Sequence, residues 1–182
     1  MNSLSRNERL LQPDPATDHI RGPAFAAVTL VEYGDFECPL CQQAHGTLNI
    51  LLAHFGEQLR FVFRHFPLRE VHPHAELAAE ATEAAGAQGR FWPMHDLLFA
   101  HGQQLKEKHL IGYARQAGLD MARYQNEMND HVYLQRVQEQ MQGARLLGVR
   151  STPAFYVNGV FTDVSFGPQH LHEAIERALQ GL

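Results

Sequence analysis

The chain has 182 residues, 45% of them hydrophobic and 19% charged, enough for one well-cored domain and short for two ordinary ones. Fifteen basic against twenty acidic side chains leave a formal charge of -5 with no block of consecutive Lys or Arg, so neither a nucleic-acid groove nor attraction to an anionic membrane surface has an electrostatic basis. Only two cysteines occur, Cys38 and Cys41, which excludes a disulfide-stapled scaffold and means that whatever they do, they do together.

Met1 to Ala26 is polar, with Pro13, Pro15 and Pro23 and no sustained period, and reads as an arm that ends by docking onto the domain. Its first twelve residues hold no apolar run of the ~7 to 15 residues that a secretory signal needs. The expectation is a cytoplasmic protein if Met1 is the natural start, and a periplasmic or exported one if a signal peptide has been removed. Ala27 to Tyr33 is a short, nearly continuous apolar run, as expected of a strand buried on both faces, with Glu32 as its exception. The chain turns through Gly34-Asp35-Phe36-Glu37 into Cys38-Pro39-Leu40-Cys41. Leu48, Leu51, Leu52 and Phe55 then recur at helical spacing until Gly56.

Leu59, Phe61 and Phe63 alternate with Arg60, Val62 and Arg64, the period of a second strand, and the crossover joining two parallel neighbours is right-handed by default. From His72 to Gly148 the pattern turns helical: an Ala-rich stretch from Ala75 to Ala87, then Phe91 to Ala100, Leu110 to Ala117, Met121 to Met128 and Val132 to Leu147. The period returns to two at Pro153 to Val157, and Asn158-Gly159 before Val160-Phe161-Thr162 signals a hairpin, because a type I′ turn needs positive φ at both central residues. A last helix starts near Gly167-Pro168 and carries Leu171, Ile175, Ala178 and Leu179 on one face. The order is β-α-β, helices, β-β-α, with no internal repeat.

A Cys-x-x-Cys at a strand-to-helix junction puts Cys38 at the helix N-terminus and Cys41 almost one turn in, on the same face, so that the sulfurs can bond. The unpaired amides and positive dipole end favour a thiolate, so Cys38 is expected to titrate below its ordinary ~8.5 and to attack, with Cys41 resolving. Pro39 fits the first turn, where no helical hydrogen bond is lost. A zinc site is the competing reading, but a second cysteine pair is absent and histidines would have to complete it. Two inert core cysteines are the other alternative.

Cys38-Pro39-Leu40-Cys41 after an apolar strand, a long helical insertion, and Ser151-Thr152-Pro153-Ala154-Phe155 opening a hairpin together resemble the DsbA-like branch of the thioredoxin superfamily. Gly34-Asp35-Phe36-Glu37-Cys38-Pro39 is similar to the stand-alone DsbA-like domains of bacteria, and the resemblance runs from about Asp18 to Leu182. It implies an α/β thioredoxin fold over 27–71 and 149–182, an all-helical insertion subdomain over 72–148 and an N-terminal arm over 1–26. It also implies roles. Pro153 matches the cis-proline beside the active-site disulfide; an ordinary trans proline opening a strand is the alternative. The Thr152 backbone would pair with an extended substrate, and Pro39 and Leu40 would face that substrate too. Glu32 matches the buried acid that relays a proton to the resolving thiol, against the alternative of a carboxylate pointing to solvent.

Three features depart from the pattern. The strongly oxidising members carry Pro-His where this chain has Pro39-Leu40, so a less oxidising couple is expected. His45, one turn beyond Cys41, stands where some members place an acid, and is expected to be merely solvated. Asp35 and Glu37 would oppose thiolate formation if they point toward the sulfur.

Twelve histidines invite a metal reading of His65, His72, His74 and His95. His72 and His74 are split by a proline, unlike the i, i+4 pair of a helical zinc site, so solvated or capping roles are expected and no metal is assigned. Trp92 at a helix start reads as packing, or as the edge of a substrate groove. No GxGxxG, phosphate loop or GxSxG is present. The expected function is thiol-disulfide exchange on cysteine-containing polypeptides by a monomer whose only redox group is the Cys38-Cys41 disulfide. Glutathione, the thioredoxin system or a membrane oxidase would recycle it. Two alternatives are a redox sensor or binding module without turnover, and a glutathione-dependent isomerase or transferase that would not require Cys41.

Overall fold

The computed structural model describes residues 6–165, 167 and 169–181. Its centre is a five-stranded sheet built around two seven-residue strands, β2 (Val28–Gly34) and β3 (Leu59–His65), with β1 (His19–Arg21), β4 (Ala154–Val157) and β5 (Val160–Thr162) in the order β1-β3-β2-β4-β5. β2 and β3 run parallel, Val28 opposite Leu59 through Gly34 opposite His65, so helix α2 (Pro39–Phe55) must cross over between them. β4 lies antiparallel to β2 and turns through Asn158 (φ 46°) and Gly159 (φ 84°) into β5, the conformation the Asn-Gly pair predicts.

Because strand side chains alternate, each central strand feeds two cores. Leu30, Phe61 and Phe63 face one way and pack with Leu48, Leu51 and Phe55 of α2, and with Leu171 and Ile175 of α8 (Gln169–Leu179). Val31, Tyr33, Val62 and Tyr156 face the other way. Fully burying each such side chain stabilises the fold by about 1.5–3 kcal/mol, which ties register to stability. The expected start of α8 includes Pro168, which lies outside the described residues.

The segment 72–148 forms five helices: α3 (Ala75–Gly86), α4 (Phe91–Ala100), α5 (Glu107–Gln116), α6 (Met121–Asn129) and α7 (Leu134–Leu146). They are built into both cores. Met94 and Leu98 of α4 join the α2 side, while Val137, Met141 and Ala144 of α7 cover Val31, Tyr33 and Val62. The alanines of α3 contribute to both, since short side chains let one helix sit deep between neighbours.

The arm holds more structure than its composition suggests. After α1 (Arg6–Leu11), β1 pairs antiparallel with β3, His19 opposite Phe63, and becomes an edge of the sheet. Three residues are too few to show a period in sequence. Asp18 fixes the entry: its carboxylate takes both Nε and Nη2 of Arg64 at 2.8 and 2.7 Å, and the pair is largely buried.

Candidate active site

At the carboxyl end of β2 the chain leaves the sheet and begins α2, with Cys38 as the N-cap in extended conformation (φ -74°, ψ 121°) and Pro39 at the first turn. Asp35 shapes the approach. Its Oδ1 accepts the Glu37 N–H at 2.8 Å and its carbonyl the Cys38 N–H at 3.2 Å, a local turn that points Cys38 across the helix end. Cys38 is 5% exposed and Cys41 fully buried, both as free thiols, whereas Leu40 between them is 59% exposed. Thr152 and Pro153, joined by a cis bond, lie over the same spot, and Cys38 Sγ donates to the Thr152 carbonyl at 3.5 Å. The structure therefore brings Cys38, Cys41, Thr152 and Pro153 together, with Pro39 and Leu40 on the rim.

The two thiols are driven apart in acidity. A hydrogen bond from the Cys41 thiol is the largest influence on Cys38; burial opposes it, and donation from Thr152 and from the Cys41 and Leu40 amides adds to it, leaving Cys38 lowered to about 5. The Thr152 hydroxyl is buried without a hydrogen-bond partner, so a thiolate formed at Cys38 is its natural acceptor. Burial above all, then its donation to Cys38 and the nearby Glu32 charge, hold Cys41 well above the ordinary thiol range.

Glu32 lies in β2 at 1% exposure, opposite Phe63 on one side and Phe155 on the other. Neither carboxylate oxygen has a hydrogen-bond partner. Burial, with the Cys38 charge as a smaller cause, raises its pKa to about 8. A carboxyl left bare in the core costs stability unless it stays protonated, and at this value it exchanges its proton near neutrality.

The two carboxylates that precede Cys38 are engaged by the loop before α3. Asp35 Oδ2 accepts the Leu68 N–H at 2.9 Å and pairs with His72 Nδ1 at 2.8 Å. Glu37 accepts the His74 N–H at 2.7 Å and pairs with His74 Nδ1 at 2.8 Å. His72 and His74, expected to be solvated or capping, are the partners of these acids. The signal was in the sequence as His-Pro-His, but nothing local says which carboxylates it meets.

His65 and His95 also differ from the expected solvated or capping role: both are buried, His65 against Glu83 and His95 among Phe36, Phe63 and Phe99. His45 is not simply solvated either; α4 covers its face of α2, stacking it on Phe99 and beside His95. Burial lowers the pKa of His45, and that of His95 to about 4. Among the described residues, His45, His95 and Asp96 are the one trio whose ligand atoms lie within 4.8 Å of one another. Its carboxylate is already engaged, by His95 Nδ1 at 2.8 Å and Arg21 Nη2 at 2.9 Å, and the guanidinium opposes a second cation there. Trp92 packs against Phe61 and under Arg21, and is not among the residues that line the groove beside Cys38.

That groove, about 560 Å³, runs from Leu40, Gln43 and Thr47 of α2 across Thr152 and Pro153 to Val164 and Leu171. A dithiol at the start of the crossover helix, under a cis-proline loop, on a sheet carrying a helical insertion, defines a DsbA-like thioredoxin-fold protein. The chain belongs to the thioredoxin family, whose model matches residues 14–177. It is similar to a thioredoxin-like oxidoreductase from Silicibacter pomeroyi, 26% identical with a TM-score of 0.82 over 97% of this chain and 99% of that one. BdbD from Bacillus subtilis is 20% identical with a TM-score of 0.83, over 93% and 96%. Among curated proteins, the Na(+)/H(+) antiporter NhaA 1 of Salinispora arenicola is 48% identical over 168 residues, and NhaA of Herminiimonas arsenicoxydans 42% over 174. These alignments take in 92% and 94% of this chain but span only 26% and 28% of those relatives. Among the described residues no helix is long and apolar enough to cross a membrane.

Proposed function

We propose that the chain is a thiol-disulfide oxidoreductase acting on cysteine-containing polypeptides through Cys38-Pro39-Leu40-Cys41. The observation that carries this reading is the placement of the pair: Cys38 caps the start of α2 with its sulfur 3.5 Å from the Thr152 carbonyl, and Cys41 lies buried one turn in, an arrangement that lowers the first thiol and raises the second. The Cys38 thiolate attacks a substrate disulfide, forming one mixed S–S bond and releasing one substrate thiolate. Cys41 gives its proton to Glu32, attacks Cys38 and releases the second substrate thiolate, so two electrons pass to the substrate and the Cys38-Cys41 disulfide forms. The reverse sequence oxidises a dithiol. The Thr152 backbone and the groove beside Leu40 hold the extended substrate, and a dithiol reductant or a disulfide oxidant resets the pair. No cofactor beyond the cysteine pair is needed. The antiporter activity in the relatives' names belongs to whole proteins of which this chain spans about a quarter; for the matching segment we propose the redox role.

Turnover of insulin disulfides under reductant, compared with Cys38→Ser protein, tests the reading. Wild-type turnover with a silent variant supports it, and full activity without Cys38 overturns it. A wild-type protein that changes redox state without turnover favours the sensor. Equilibration with glutathione then gives direction: a potential near ~-120 mV marks an oxidase of an exporting compartment, one near ~-270 mV a reductase.

A further inference from the structure

Two acids precede the cysteine that must carry negative charge, Asp35 by three residues and Glu37 immediately. Each is tied to the loop that precedes α3. Asp35 Oδ2 meets His72 Nδ1 at 2.8 Å and the Leu68 amide at 2.9 Å; Glu37 holds the His74 amide at 2.7 Å and His74 Nδ1 at 2.8 Å. The Asp35 side chain is fully buried, and that of Glu37 is 20% exposed. Asp35 thus has little freedom to move, whereas Glu37, partly exposed, would keep only the His74 amide if the imidazole were removed.

We propose that His74, with His72 behind it, is a positioning residue for the reactive thiol: the two histidine-carboxylate pairs form a clasp that holds the Asp35 and Glu37 charges off the Cys38 sulfur. This rests on Cys38 being the attacking thiol. The groups that face Cys38 are Cys41 from α2, Glu32 from β2, and Thr152 from the loop before β4. A Glu37 carboxylate released to within about 7 Å of the sulfur would raise the Cys38 pKa by about half a unit to one unit, since its field acts through a half-wet site. At neutral pH the thiolate fraction, and with it the attack rate, then becomes more sensitive to pH.

The test is a cycle on Glu37 and His74, read by the pH dependence of iodoacetamide alkylation of Cys38 in reduced protein. Cys41 is fully buried and reacts slowly, so the readout belongs to Cys38. His74→Ala is expected to raise the Cys38 pKa by about half a unit to one unit. Glu37→Gln alone is expected to leave it within about 0.2 units, and Glu37→Gln/His74→Ala to return it to the wild-type value, because the swinging charge is gone. His74→Asn, which keeps a donor for Glu37, is expected to behave as wild type, and His74→Leu, which fills the space without a donor, is expected to raise the pKa as His74→Ala does and replaces it if that variant does not fold. An unchanged pKa in folded His74→Ala protein overturns the clasp. So does a rise that Glu37→Gln fails to reverse, which would mark His74 as merely structural. A wild-type Cys38 that titrates like an ordinary thiol would instead remove the attacking role on which the clasp rests, a separate failure seen before any variant is made.

Discussion

The Cys38 sulfur lies 3.5 Å from the Thr152 carbonyl oxygen, although 114 residues separate them along the chain. The intervening helices cover both faces of the sheet and return the chain to β4, antiparallel to the strand that delivers Cys38. Under the proposed function, a substrate strand pairing with the Thr152 backbone would arrive with its sulfur next to the thiol at the helix end, and positioning would supply part of the rate.

The resolving thiol can be isolated by Cys41→Ser. Cys41 is buried and its thiol donates to Cys38, so the variant keeps a hydroxyl donor and leaves Cys38 able to attack. Mixed disulfides with polypeptides are expected to accumulate and to appear as mass-shifted species on non-reducing gels, while multiple turnover falls at least about 10²-fold. Rapid release of substrate from Cys41→Ser protein would remove the resolving role.

Glu32 makes two opposite demands measurable in one variant. Burial raises its carboxyl to about 8, so the folded protein binds that proton more tightly than the unfolded chain does. The resulting stabilisation is fully present below about pH 4.5 and is lost as pH rises through about 8. Glu32→Gln cannot ionise. Relative to wild type it is expected to gain on the order of 4 kcal/mol between pH 5 and pH 9 in urea unfolding of the reduced protein. It is also expected to slow the resolving step roughly 10²-fold near neutrality and to remove the limb of the pH profile near 8. Parallel stability curves for the two proteins would show that Glu32 does not change protonation on folding.

The sequence was informative wherever the signal is local. Asn158-Gly159, the strand periods around Leu30 and Phe61, and the placement of Cys38 at a helix start all depend on neighbours within one turn or one pleat. What it left unread depends on distant partners. His72 and His74 look like surface histidines until Asp35 and Glu37 are set against them, and His45 looks exposed until α4 covers it. Strand β1 is too short to announce itself, and it is the alignment of His19 with Phe63 that makes the arm part of the sheet. Glu32 stood out only as a polar interruption in an apolar run; its bare, unpartnered carboxyl is visible in three dimensions alone.

Leu40 offers a direct handle on the direction of electron flow. It is 59% exposed, so replacing it disturbs no core, and its amide already supports the Cys38 thiolate. Leu40→His places a second, partly cationic donor beside that thiolate. The expected outcome is a Cys38 pKa lower by about half a unit to one unit and a potential raised by about 15–30 mV, because stabilising the reduced form makes the disulfide the better oxidant. Equilibration with glutathione measures it, and an unchanged potential would show that the imidazole points away from the sulfur.

The buried pair at the root of the arm should carry a stability cost out of proportion to its distance from the cysteines. Arg64 uses Nε and Nη2 on Asp18, and its remaining donors reach the Leu10 and Gln12 carbonyls and the Tyr33 hydroxyl, the last at 3.0 Å. Arg64→Ala strips the guanidinium from a carboxylate with a 4% exposed side chain, leaving it the Asp14 N–H, and removes the donor from two backbone carbonyls of the arm. Urea unfolding is expected to show a loss of about 3–5 kcal/mol, with Asp18→Asn costing less because the amide keeps one acceptor for the guanidinium. Arg64→Lys restores charge without the two-pronged geometry and is expected to recover only part of the loss. Hydrogen exchange at Ile20 and Arg21 should quicken in Arg64→Ala protein, since β1 is held on the sheet edge by Asp18 next to it. Unchanged exchange alongside a full stability loss would locate the effect in the β3 core and not in the arm.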